Sequence, residues 1–313
     1  MGLQLLRGTA RVSQAKYNMP LGDRLWRWLV ISLPYWWLAI FFLAPFAIVF
    51  KISFADPVIA QPPFSSFFDF SPGADSWLLA TLDNYRFITE DNLYWVSYFK
   101  SLKIAAISTV LCLLLGYPMA YGIARCQPGT RNILLMLVIL PFWTSFLLRV
   151  YAWIVMLGKT GAINSLLLKI GLIDTPLEML YTDGAVYLGI VYTYIPFMVL
   201  PLYSVLEKMD TNLQDAAADL GARRWQVFFN ITLPLSMPGV IAGSMLVFIP
   251  AVGEFVIPSL LGGIDSLMIG RTLYDEFFIN RDWPLASAVA TVLLFIIVVP
   301  IMLLQSSQKE DAE

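Results

Sequence analysis

Two ionisable side chains stand inside otherwise apolar runs of this 313-residue chain. They are Arg149 in PFWTSFLLRVYAW (141–153) and Glu254 in GSMLVFIPAVGEFVIPSLLGG (243–263). Charges in such runs are costly and face a protein interior or a water-filled cavity. A carboxylate there can hold a cation, and a guanidinium can balance that carboxylate. Pro250, Gly253 and Pro258 flank Glu254, so a helix through this point is predicted to break and to expose carbonyl oxygens that bind cations. Trp143, Tyr151, Trp153, Tyr192 and Tyr194 lie in or near the same stretches, and their ring faces suit an alkylammonium chain. Asp275 is a further acidic candidate beyond the Glu254 run. Each has a plainer alternative. Arg149 can snorkel to lipid headgroups, Glu254 can serve as a structural pair or helix-end group, the rings can form an interfacial belt, and Asp275 and Glu276 can be solvated loop acids.

Other chemistry is excluded by composition. Histidine is absent, which removes Ser-His-Asp and Cys-His nucleophile systems, His-ligated metals and His proton relays. Cys112 and Cys126 are fourteen apart and do not form a metal or redox pair. Gly158-Lys159-Thr160 imitates the end of a phosphate-binding loop, but Trp153 stands where its first glycine belongs. No cofactor or metal is therefore expected in this chain. The net charge of −2 offers no basic face for nucleic acid.

These residues must be positioned by membrane helices. The chain is 58% hydrophobic and only 13% charged, too few charges to cover a soluble fold of this size. Spanning a bilayer takes about 20 apolar residues. Six spans are predicted, near 28–50, 102–124, 132–157, 184–206, 238–261 and 285–305. The first follows a charged tail, 1–27, too long for a cleaved signal, and is expected to remain as an anchor. Basic residues fix the orientation. With the tail cytoplasmic, the inner side carries eleven basic and eight acidic residues, the outer side nine and fourteen. Both termini, including the tail 307–313, are therefore expected inside. Segment 51–101 becomes an acidic, proline-punctuated outer cap. Counted from the inner edge at ~1.5 Å per residue, Arg149 and Glu254 reach similar depth, so a mutual ion pair is open to them.

The inner loop 207–237 is the most informative stretch. Asp210 or Thr211 can cap a helix. Leu213, Ala216, Ala217 and Leu220 then recur at helical spacing, with Gln214, Asp215 and Asp219 facing elsewhere. Gly221 stops the helix. An apolar face centred on alanine suits close approach to a protein groove. A helix lying on lipid headgroups, the other reading, expects larger side chains there.

Asp215-Ala216-Ala217, then Gly221, then Ile231-Thr232-Leu233-Pro234 resembles the EAA motif of permease subunits of bacterial ABC importers. Asp215 stands where that family usually has Glu. The 141–153 and 243–263 segments, with MIGRTLYDEFF (268–278) and NRDWPLASAVA (280–290), are similar to polyamine permeases, and most resemble the first permease of a putrescine system. The resemblance implies an all-α polytopic protein of the type I ABC importer permease fold, the permease domain being 28–306, in the bacterial inner membrane. It implies a non-catalytic subunit that docks through 207–237 on a partner ATPase dimer, where ATP and Mg bind. A homologous second permease and a periplasmic polyamine-binding protein complete the implied assembly, and putrescine, or putrescine and spermidine, is the implied substrate. A permease for another small solute, or a secondary transporter, is the alternative.

Overall fold

A computed structural model of the chain describes residues 21–66, 80–263 and 266–310. Residues 1–20 of the expected tail and 311–313 lie outside the described residues. Among the described residues every regular element is helical, and six helical segments are long and apolar enough to cross a membrane. The chain divides into two compact units, Met1–Lys51 and Ile52–Glu313.

In the first unit, α1 (Leu21–Leu38) and α2 (Ala44–Ile52) are joined by a single π-helical turn, Ala39–Leu43. Trp28, Trp36, Trp37, Phe41 and Phe42 are all exposed. So wide an apolar exterior is compatible with lipid or a partner chain and not with water.

The second unit is built on three long helices that pack on one another: α4 (Asn92–Ala124), α8 (Asp183–Glu207) and α11 (Leu233–Val252). A short helix, α3 (Asp83–Glu90), precedes them. Lipid offers no hydrophobic drive for helix association, so close backbone approach and interhelical hydrogen bonds must supply it. Gly239 and Gly243 of α11 provide the approach. A Cβ on Gly239 would lie 3.1 Å from the Pro201 carbonyl oxygen, and one on Gly243 3.1 Å from that of Met198. Hydroxyls provide the bonds. Tyr98 donates to the Val289 carbonyl at 2.7 Å, and Ser101 Oγ accepts from the Ile269 amide at 2.7 Å.

Three departures from the sequence expectation have local causes. α4 begins at Asn92, ten residues before the expected span, because Asp91 caps it by accepting from the Leu93 amide at 2.8 Å. Tyr94, Ser97, Tyr98 and Ser101 then bury one face, leaving Lys103 on a less buried side. The third span is divided. α5 (Pro128–Ile139) tightens into a 3₁₀ turn, Leu140–Trp143, and the chain is extended at Thr144 and Ser145 before α6 (Phe146–Leu157) and α7 (Ala162–Lys169). Pro141 has no amide to continue the α ladder. The fifth span stops at Val252 and restarts as α12 (Val256–Leu261). Two short helices, α9 (Asn212–Asp219) and α10 (Arg224–Val227), lie between α8 and α11. α13 (Ile269–Tyr274) and α14 (Trp283–Glu310) close the chain.

Gly239→Val should destabilise the protein by about 1–3 kcal/mol, because the carbonyl of Pro201 cannot yield to the new methyls. A lowered melting midpoint of the purified protein in detergent checks this. Gly122→Ala, whose methyl meets nothing within 4 Å, should leave the midpoint unchanged or raised.

Candidate functional site

Two places gather the candidate residues, one at each end of α11. The first surrounds α9. Asp210 Oδ1 accepts from the Asn212 amide at 3.0 Å and opens the helix, while Thr211 makes no side-chain cap. The helix ends in a Schellman turn. The Gly221 amide bonds the Ala218 carbonyl at 2.9 Å and the Ala222 amide bonds that of Ala217 at 3.0 Å. Gly221 has φ +85°, where a Cβ would be strained. Leu213, Asp215 and Ala216 are exposed, Ala217 is half-buried, and Leu220 is 89% exposed. Apart from Ala217, the apolar stripe is thus exposed among the described residues. Trp225 and Phe229 beside it are exposed as well. Pro234 lies two residues past the π-helical turn Phe228–Thr232, in the first turn of α11.

The opposite flank of α9 is tied down through Gln214. Its Oε1 accepts from Arg125 Nη2, and its Nε2 donates to Thr232 Oγ1 at 3.1 Å and to Met209 Sδ at 3.4 Å. Thr232 is buried in the π-helical turn Phe228–Thr232 that leads into α11. Arg125 also lies over the Tyr121 ring. By helical spacing alone Gln214 simply faces away from the stripe. Its distance from Arg125 and Thr232 along the chain gave no signal of this cluster.

The second place is the break after Val252. Glu254 is 8% exposed. Its Oε1 accepts from the amides of Val256 (3.0 Å) and Ile257 (3.4 Å), the first of α12, and its Oε2 accepts from Tyr194 at 2.6 Å. The carboxylate therefore satisfies amides that the broken helix would leave bare. Oε1 accepts twice, and Oε2 retains a second lone pair. From Tyr194 a row of rings leads away. Phe197 is 6.1 Å from Tyr194, Phe142 is 5.2 Å from Phe197, and Arg149 stacks over Phe142 at 5.6 Å and Phe146 at 5.9 Å.

The ion pair open to Arg149 and Glu254 is not formed among the described residues. Glu254 is drawn to the amides at its own helix break, while Arg149 Nε and Nη1 are buried without a hydrogen-bond partner. Tyr192 packs edge-on against Trp153 at 5.4 Å. Trp143 and Tyr151 are 78% and 53% exposed and do not join the row. Asp275 is half-buried in a π-helical turn, Asp275–Ile279. Its neighbour Glu276 is buried and accepts from Tyr94 and Asn280, both at 2.8 Å. Glu276 is thus a packed hydrogen-bonded group rather than a solvated loop acid. No hydropathy signal marked it, because the Phe277-Phe278-Ile279 run beside it is too short to read as a span.

Replacing Glu254 by Ala should cost about 1–3 kcal/mol, since it uncaps α12 and leaves the Tyr194 hydroxyl unpaired. Gln, which can accept from the amides and donate to Tyr194, should retain most of that stability. Thermal melting of the two purified variants separates these outcomes.

The sequence pattern of the family described as "Binding-protein-dependent transport system inner membrane component" matches residues 113–309. The chain is 40% identical over 273 residues to the spermidine/putrescine transport system permease protein PotB of Haemophilus influenzae, covering 86% of this chain and 91% of that protein. It is 45% identical over 227 residues to the Escherichia coli protein of the same name, covering 72% and 82%. A bacterial ABC transporter involved in import of the acidic polysaccharide alginate has a chain of the same fold. Its TM-score is 0.67 at 18% identity, covering 93% of this chain and 98% of that one.

Proposed function

Because the chain belongs to the family of binding-protein-dependent transport inner membrane components, we propose that it is one of two membrane subunits of an ATP-driven importer of polyamines, putrescine and spermidine. It is a non-catalytic, multi-pass component of the inner membrane. The observation that carries the reading is the exposed alanine-faced helix α9, with Leu220 projecting from its end, in a chain 40–45% identical to spermidine/putrescine permeases.

In this reading α9 seats in a groove of a cytoplasmic ATPase subunit that binds ATP and Mg. A homologous permease presents the second such helix to the second ATPase. Both termini are then cytoplasmic, and a periplasmic binding protein delivers polyamine from the other side. Closure of the ATPase pair draws the two docking helices together and opens the path outward; hydrolysis returns it inward. Tyr194 and Glu254 belong to the path. A carboxylate at the head of a row of rings complements an ammonium carried on an alkyl chain. Putrescine as principal substrate is the narrower form of the proposal.

Uptake of labelled putrescine and spermidine by cells carrying the transporter tests the substrate. Each should compete with the other, and an amino acid should not; equal competition by an amino acid would overturn the polyamine reading. Glu254→Gln should lower uptake by about tenfold or more at normal membrane abundance, the loss of one charge-assisted contact. Leu220→Asp should reduce the ATPase that copurifies by about tenfold or more, the equivalent of losing one buried leucine. Its melting midpoint should not move, because the side chain touches little of its own subunit.

A further inference from the structure

We infer that Gln214 is the positioning residue that carries the motion of α9 into α11. This rests on the docking role proposed for α9 and says how the docked helix acts on the membrane part.

The covalent route from α9 to α11 is poorly suited to transmitting force. It passes through Gly221 at φ +85° and Ala222 before reaching α10. A displacement of α9 along this route bears on the two hydrogen bonds of the Schellman turn and on glycine torsions that no side chain resists. Gln214 bypasses the hinge. One turn into α9, it joins three separate pieces of the bundle. These are Arg125 at the end of α4, Met209 just after α8, and Thr232 at the foot of α11.

The donor and acceptor pattern of these contacts has one solution. Arg125 offers only donors, so it must meet the amide oxygen of Gln214. That turns the NH₂ group towards Thr232 and Met209, both of which can accept. Arg125 is itself held over the Tyr121 ring at 5.1 Å. Thr232 belongs to a turn braced on its other side, for Phe228 packs edge-on against Tyr117 at 5.5 Å and the Tyr117 hydroxyl bonds Ser236 Oγ at 2.9 Å. The strut therefore ends on rigid ground at both ends. Beyond Thr232, α11 runs 20 residues, about 30 Å at 1.5 Å per residue, to the break held by Glu254. A shift delivered at Thr232 arrives at that break.

The test uses the whole transporter, purified with its ATPase and reconstituted in liposomes. The readout is the ratio of ATP hydrolysis with and without binding protein loaded with putrescine or spermidine. Gln214→Met removes the polar contacts at similar size. It should lower the ratio by about tenfold while the ATPase copurifies as in wild type. Gln214→Glu can accept from both Arg125 and the Thr232 hydroxyl, and should restore the ratio to within about twofold of wild type. A Met variant that keeps the wild-type ratio overturns the inference. So does a Met variant that loses the ATPase, which would make Gln214 a docking residue, or equal impairment of the Met and Glu variants, which would make it a folding residue. Failure of the docking proposal itself is seen earlier and separately, as a wild-type complex with which no ATPase copurifies.

Discussion

A helix that stops within a membrane bundle leaves backbone amides that neither water nor lipid can satisfy. The chain stops in this way after Val252, and the carboxylate of Glu254 resolves it by accepting from the first amides of α12. The placement of α12, and of α6 and α8 that pack on it, depends on that carboxylate. The same group accepts from Tyr194 on α8, so the break is bound to the central three-helix core. The residue proposed to hold a cation is therefore also the one that allows the backbone to be interrupted. The two roles are compatible because a carboxylate offers about four acceptor positions.

Much of this architecture was legible as hydropathy. Long apolar runs marked the six spans, and Pro250, Gly253 and Pro258 marked the break. What hydropathy missed, periodicity or proline chemistry could have shown. The first ten residues of α4 fall in the segment that reads as an acidic, proline-punctuated cap, although Tyr94, Ser97, Tyr98 and Ser101 already recur at helical spacing. The division of the third span follows from Pro141, whose missing amide a hydropathy window does not register. Pairings were beyond reach. Equal depth along two helices said nothing of azimuth, and so Arg149 and Glu254, at similar depth, meet different partners. Nor could Tyr94 be matched with Glu276, 182 residues away.

The site around α9 shows the complementary case. Its apolar face, its stop at Gly221 and the proline opening α11 were all written locally, within about two dozen residues. What could not be read locally was how the helix is fastened. Only the folded bundle brings Arg125 and Thr232 against one side chain, leaving most of the other face of α9 exposed among the described residues. The division of labour is clear from exposure: polar contacts hold the inner flank, and alanine and leucine present the outer one.

The glycines of α11 carry a mechanical consequence. Gly239 and Gly243 are one turn apart and give α11 a smooth strip against the backbone of α8 at Met198 and Pro201. Interlocked side chains would have to disengage before one helix could pass the other. Here the side chains that reach into the strip are Val205 at Gly239 and, at Gly243, Met198, unbranched and able to change rotamer. The contact therefore acts as a sliding track. It holds the two rods at fixed separation and leaves shear along their length as the cheapest relative movement.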